Sequence, residues 1–233
     1  MGRRARGGGG AGVRLGMMAL LWLAWIPEGH GELRRDALVI FPLQEGVVID
    51  MDTVEQSSAL ARTLTRVRID AFWGDGLAME VSIFAPGGEQ VLGTWSEVAD
   101  LASCGALDPW WPGVERVQWE RCELWLSGAV REALAAQGQA WFRVDVTERR
   151  DVKVLLTLER HDRYGCRVDG QWRELPAWVL RSNKGDELWV LDDAANPFVL
   201  EVTVGGIYGM AVTDIWVGLA PPPPAEVPPR GQH

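Results

Sequence analysis

Asp192, Asp193 and Asn196 stand in the stretch Glu187-Leu188-Trp189-Val190-Leu191-Asp192-Asp193-Ala194-Ala195-Asn196-Pro197-Phe198-Val199-Leu200, an acidic, proline-ended turn between two apolar runs. Side chains of these types offer two kinds of chemistry. Two carboxylates cleave glycosidic bonds when they converge at roughly 5–10 Å, and clustered carboxylate and amide oxygens are donors that calcium takes. Neither pattern is complete. Adjacent strand residues point to opposite faces, which separates Asp192 from Asp193. Calcium takes about six to eight oxygens, and this segment lacks the spacing and the glycine of an EF-hand loop. The commoner role of short acidic and amide side chains is to bond their own backbone in turns. Pro197 fixes the re-entry to Phe198 and biases Asn196 toward extended geometry. The segment reads as the turn of a β-hairpin, with cation binding as the alternative.

The remaining nucleophiles lack partners in the sequence. His161, in Glu159-Arg160-His161-Asp162, is the only histidine in the body of the chain. It is expected near the edge of a strand or in the following turn. No Gly-x-Ser-x-Gly elbow or supported Ser-x-x-Lys is present. A cysteine nucleophile would have to pair Cys104, Cys122 or Cys166 with His161, and structural roles are the ordinary reading of all three. No Cys-x-x-Cys spacing marks a metal site. No glycine-rich phosphate loop or dinucleotide fingerprint is found, so no metal or cofactor is expected. Cys104 and Cys122 bracket Gly105–Arg121, which has poor regular periodicity, and a disulfide between them would tether it. The alternative is three reduced thiols, two of them simply buried. Cys166 lies in an expected strand as a buried thiol.

Residues 1–31 read as a secretory signal. Arg3, Arg4, Arg6 and Arg14 form a basic region, Met17 to Ile26 a short apolar region, and Gly29-His30-Gly31 a small-x-small site that would leave Glu32 first. About ten apolar residues are too few for a transmembrane helix; an uncleaved anchor or a start codon assigned too early are the alternatives. Without residues 1–31 the chain keeps 19 basic and 31 acidic side chains, a formal charge of −12. That excess argues against nucleic acid, which needs a basic footprint, and against docking on anionic lipid. A periplasmic or secreted protein is expected, with no integral span after signal cleavage.

The elements that must position these residues are mostly strands. Arg62 to Phe72 alternates, setting Leu64, Arg66, Arg68 and Asp70 against Thr65, Val67, Ile69 and Ala71, as a half-buried strand does. Leu77–Phe84 and Gln90–Thr94 continue a meander, and Leu38–Phe41 reads as a short strand before Pro42. Ser127 is an N-cap for a helix over Ala129–Gln137, stopped by Gly138. Ala140–Val146 pairs with Val152–Arg160 across Glu148–Asp151. Tyr164–Val168 meets Trp172–Glu174 across Asp169-Gly170, a hairpin signal of the primed type. Ala177–Arg181, Glu187–Leu191, Phe198–Val204 and Ala211–Val217 follow. One β-rich domain over residues 32–219 is expected, with a disordered or extended proline-rich tail over 220–233.

Phe41-Pro42-Leu43-Gln44-Glu45-Gly46 resembles the Pro-Leu-x-x-Gly opening of uncharacterised exported bacterial β-rich proteins. Residues 176–201, with Trp189-Val190-Leu191-Asp192-Asp193 and Asn196-Pro197, resemble their closing portion. Val47-Val48-Ile49 stand here where aromatic residues often follow that opening. The resemblance implies a curved antiparallel sheet similar to lipoprotein-carrier half-barrels, which wrap hydrophobic material beneath a helix. It implies no catalytic residue.

The fold class expected is mainly β: a curved antiparallel sheet or open half-barrel with one short covering helix. The expected function is non-catalytic binding or envelope assembly, with an apolar ligand or an envelope protein as partner. Trp110, Trp111 and Trp125 are the expected ligand contacts at the mouth of a cleft, although Trp110 and Trp111 also fit the role of covering the open end of a sheet. A carboxylate-dependent envelope hydrolase and a structural module docking through a sheet edge or the proline tail are the alternatives.

Overall fold

A computed structural model describes residues 41–55, 62–74, 76–108, 116–118, 121–146, 149–205 and 208–224. Its strands are β1 (Val48–Glu55), β2 (Arg62–Trp73), β3 (Gly76–Phe84), β4 (Gln90–Val98), β5 (Ala106–Leu107), β6 (Arg116–Gln118), β7 (Gln139–Val146), β8 (Arg149–Val168), β9 (Gln171–Ser182), β10 (Glu187–Leu191), β11 (Val199–Val204) and β12 (Tyr208–Trp216). Among the described residues there is one helix, α1 (Gly128–Gln137). The strands form one curved sheet in the order β5-β7-β8-β9-β10-β11-β12-β1-β2-β3-β4-β6, antiparallel except at β5, β6 and one closing contact.

That contact depends on the length of β8. Its 20 residues give one edge room for two partners. Arg149–Thr157 pair with β7, and Arg167 and Val168 pair in parallel with Asp214 and Ile215 of β12. Strands β8 to β12 thus close into a ring, and β1–β4 extend from it as a meander. The expected hairpins are present, but strands expected as separate are continuous. Val152–Arg160 runs on into Tyr164–Val168, and Trp172–Glu174 into Ala177–Arg181, as the continuous pair β8–β9 with a bulge between Leu158 and Arg160. His161 therefore lies inside a strand. Pro176 is tolerated in β9 for a definable reason. The amide and carbonyl of a strand residue face the same neighbour, and the Pro176 carbonyl accepts from Asp192 N at 2.9 Å. Its missing N–H thus falls just past the β9–β10 ladder, which begins at Ala177, where no ladder bond is lost.

Local signals act where they stand. Asp169 and Gly170 have φ of 48° and 77°, the paired positive values of a type I′ turn. The Ser127 side chain accepts from Val130 N, and Gly138, at φ 71°, donates its N–H to the Leu134 carbonyl, so both helix ends are capped. The inward residues of the strands form one core with Phe41, Trp125 and Phe198. Phe41 is buried in a loop and belongs to no strand; residues 38–40 lie outside the described residues, as does the link between β7 and β8 at 147–148.

The turn after β10 is tied into that core by Asn196. Trp125 Nε1 donates to Asn196 Oδ1 at 2.9 Å, and Asn196 Nδ2 donates to the Phe41 carbonyl at 3.2 Å. One side chain thereby satisfies a buried indole and a buried loop carbonyl. Asn196→Ala should cost about 2–4 kcal/mol, since it strands both groups at about 1–3 kcal/mol each. Urea unfolding followed by tryptophan fluorescence measures it; a loss below about 1 kcal/mol would show that the two groups find other partners.

Candidate binding groove

The outward residues of β2, β1 and β12 are set by strand alternation. Ile49, Met51, Val67, Ile69 and Ile215 point into the core, so Asp50, Asp52, Arg62, Leu64, Arg66, Asp214 and Trp216 share the opposite face. That face floors a groove of about 540 Å³, completed by Thr213, Arg167, Gly170 and Pro222–Pro224. The size lies within the range of roughly 300–1,000 Å³ usual for ligand sites. Thr213 is the extra residue of a bulge, because Asp214 pairs with Asp50 and Val212 with Met51. Bulges re-aim side chains, and Thr213 Oγ1 lies 3.3 Å from the Asp50 carbonyl, to which it donates.

The floor is a row of charges across four strands. Register sets Arg66 opposite Asp50, Asp50 opposite Asp214, and Asp214 opposite Arg167. Both aspartates are buried, at 5% and 7% exposure. Each takes a two-pronged guanidinium: Arg66 Nε and Nη2 to Asp50 at 2.7 and 2.8 Å, and Arg167 Nε and Nη2 to Asp214 at 2.6 and 2.7 Å. Arg62 grips Asp52 in the same way at 2.8 Å. Trp216 Nε1 adds a long contact of 3.4 Å to Asp50 Oδ2. The hydrogen bond to Asp214, then its charge, raise the Arg167 pKa above the ordinary value. The row is internally neutral, and Trp216 and Leu64 give the groove apolar surface beside it.

The proline segment forms one wall. Asp169 Oδ1 accepts from Val217 N at 2.9 Å and Gly218 N at 3.2 Å, directing the chain away from β12. Arg66 Nη2 donates to the Pro222 carbonyl at 3.1 Å. The Pro224 carbonyl reaches the turn before β4, where a Cβ on Gly88 would lie 3.0 Å from it. Residues 220–224 of the expected tail therefore lie along the sheet; residues 225–233 lie outside the described residues.

The site expected from sequence divides differently. Asp193 makes a turn, with Oδ1 accepting from Ala195 N at 2.8 Å, and Asn196 is the core tie described above. Asp192 does gain partners: Arg131 Nη2 of α1 at 3.3 Å and His161 Nδ1 of β8 at 3.4 Å. His161 stands opposite Trp178 in the β8–β9 register, and the Arg131 guanidinium stacks 4.6 Å above the Trp178 ring. Arg131 Nε and Trp178 Nε1 are buried without a hydrogen-bond partner. Charge and stacking therefore hold this contact, which ties Arg131 of α1 to Trp178 of β9 and to Asp192. His161 is 64% exposed on the side-chain scale, and no nucleophile joins the pair among the contacts of the described residues. Among those residues no group of three or more metal-binding side chains is found.

Trp125, expected at a cleft mouth, is instead fully buried, edge-on to Phe198 at 5.1 Å. Its apolar ring and single donor are both used by the core. Trp110 and Trp111 lie outside the described residues. Cys104 and Cys122 are joined in a disulfide across 18 positions. Cys166 is a free, buried thiol, whose pKa burial and the Asp214 charge push up to about 12. The groove residues were missed because sequence shows only their alternation; Asp169-Gly170 and the proline run were its visible margins. No protein-family model, curated protein or solved structure matches the chain.

Two outcomes follow from these environments. Arg66→Ala leaves Asp50 buried without its main cation and should cost about 2–3 kcal/mol, less than the roughly 3–5 of a fully buried pair because Arg66 keeps some solvent. In urea unfolding the double variant Asp50→Asn/Arg66→Ala should lose less than the sum of its two single variants; a double loss equal to that sum would show the pair is uncoupled. Native Cys166 should resist iodoacetamide. Its folded pKa is raised from 9.0 to about 12, so the native thiol keeps a proton that the unfolded one releases. That stability is complete below pH 9 and lost as pH rises through the interval to about 12. Cys166→Ala should show a shallower alkaline decline in unfolding free energy than the parent chain.

Proposed function

We propose that this chain is a non-catalytic binding protein of the periplasm or the extracellular space, which holds an envelope polypeptide on the outer face of β12–β1–β2. The groove of about 540 Å³ over paired ions is the observation that carries the reading. The inward face of the sheet is filled by its own side chains, which turns attention from an enclosed apolar ligand to this external surface. The Cys104–Cys122 disulfide fits an oxidising compartment, as do the basic and apolar regions before Glu32. Among the described residues no helix is long and apolar enough to cross a membrane.

Expression of the whole chain, cell fractionation and N-terminal sequencing test the location. The expected product starts at Glu32 in the periplasm or medium with Cys104 and Cys122 oxidised; a cytoplasmic product that keeps Met1 and both thiols free overturns it. A photo-crosslinking residue at Leu64 should yield a discrete envelope-protein adduct that the same probe at Ala135, on the exposed side of α1, does not. Equal labelling from both positions would remove the support for the groove.

A further inference from the structure

We infer that the groove recognises a polyproline-type segment of a partner chain, and that Pro221–Pro224 is a tethered competitor for the same seat; this rests on the binding-protein reading above. Consecutive prolines are restricted by their rings and by their neighbours to extended, left-handed polyproline geometry. Such a segment cannot donate backbone hydrogen bonds, but it offers carbonyl acceptors and apolar ring faces. The groove supplies the complement. Arg66 spends two N–H groups on Asp50 and still donates to the Pro222 carbonyl. Trp216 and Leu64 supply apolar surface, as aromatic-lined grooves do for proline-rich ligands. A segment already extended also loses little conformational freedom on docking.

The chain's own prolines show both the fit and its incompleteness. The segment that carries them is held at Val217 and Gly218 by Asp169 and at Pro222 by Arg66, and Pro224 lies beside Gly88. They line the groove on one side and leave about 540 Å³ open next to them. Four prolines with no larger side chain among them cannot fill that space. A partner segment in which longer side chains alternate with prolines can occupy both the wall and the floor. Tethering then sets a threshold. If the free segment binds with a dissociation constant of about 0.1 mM, an effective concentration on the order of 1 mM weakens a competing ligand by about tenfold.

The test uses the mature chain and the same chain ending at Gly218, which keeps the Asp169 contacts. The probe is an end-blocked peptide of residues 217–224 carrying a fluorophore, read by anisotropy. The truncated chain should bind it, and the full chain should bind it about tenfold more weakly. Leu64→Arg in the truncated chain, which fills the groove from a partly exposed position, should abolish binding while the thermal midpoint and circular dichroism stay those of its parent. No binding by the truncated chain, equal binding by both chains, or undiminished binding by Leu64→Arg overturns the inference. Dimers of the full chain that vanish on truncation also overturn it, since the occupant is then a second copy. If the peptide fails while Leu64 still cross-links an envelope protein, only the proline specificity falls; if both fail, the binding-protein reading falls as well.

Discussion

Two aspartates facing each other are the constraint around which this molecule is arranged. Asp50 and Asp214 are paired in register on β1 and β12, on one face and largely out of water. Like charges directly opposite in a sheet are destabilising, and a buried carboxylate without a partner is more so. The solution is an arginine on either side. Arg66 comes from β2, the next strand of the meander. Arg167 comes from the far end of β8, and can reach Asp214 only because β8 pairs with β12 there. The charge row and the closure of the β8–β12 ring are therefore one arrangement. Opening the ring would release Arg167 and leave Asp214 beside Asp50 without its own cation.

The same economy of partners governs the other side of the fold. Asn196 ends the turn after β10, and its amide joins Trp125 and Phe41, which are far apart in sequence. Leu126 N and Val199 N complete the seam by donating to the Pro197 and Leu124 carbonyls. The segment around Trp125 is thereby fixed against β11 while adding only an isolated bridge to the sheet. Asp192, one step after β10, anchors α1 through Arg131. A stretch that looks catalytic in composition is a junction: one residue holds a loop, one holds a helix, and Asp193 closes the turn between them.

What could be read from sequence follows the range of each interaction. Ser127, Gly138 and Asp169-Gly170 act within a few residues, and the structure places a capped helix and a primed turn where they stand. Strand alternation correctly sets Thr65, Val67 and Ile69 inward against Leu64, Arg66 and Arg68, and fails at Ala71, where a bulge at Asp70 shifts the period. The charged residues His161–Arg163 read as a break, because a strand with one solvent face beside a bulge at Leu158–Arg160 has the composition of a turn. Trp125 reads as a surface aromatic because its partner, Asn196, lies 71 positions away. The charge row was equally hidden. Arg66 and Asp50 are 16 residues apart, and Arg167 and Asp214 are 47 apart, so only the strand order reveals that four residues form one line.

On the binding reading proposed above, recognition belongs on the outside of the sheet. A close-packed interior has no room to receive a ligand without losing its own contacts, and Trp125, Phe198 and Phe41 occupy the places an apolar guest would need. Across β12–β1–β2 the outward residues are committed to one another in charge, yet the guanidinium groups retain hydrogen-bonding capacity. Arg66 demonstrates it by bonding a carboxylate and a peptide carbonyl together. A neutralised guanidinium of this kind attracts backbone carbonyls without drawing in stray anions. It is rigid, because its carboxylate holds it, and it is presented beside Trp216. The fold's own proline segment, rich in carbonyls and poor in donors, already lies on that surface, and it is the observation from which the inferred specificity is drawn.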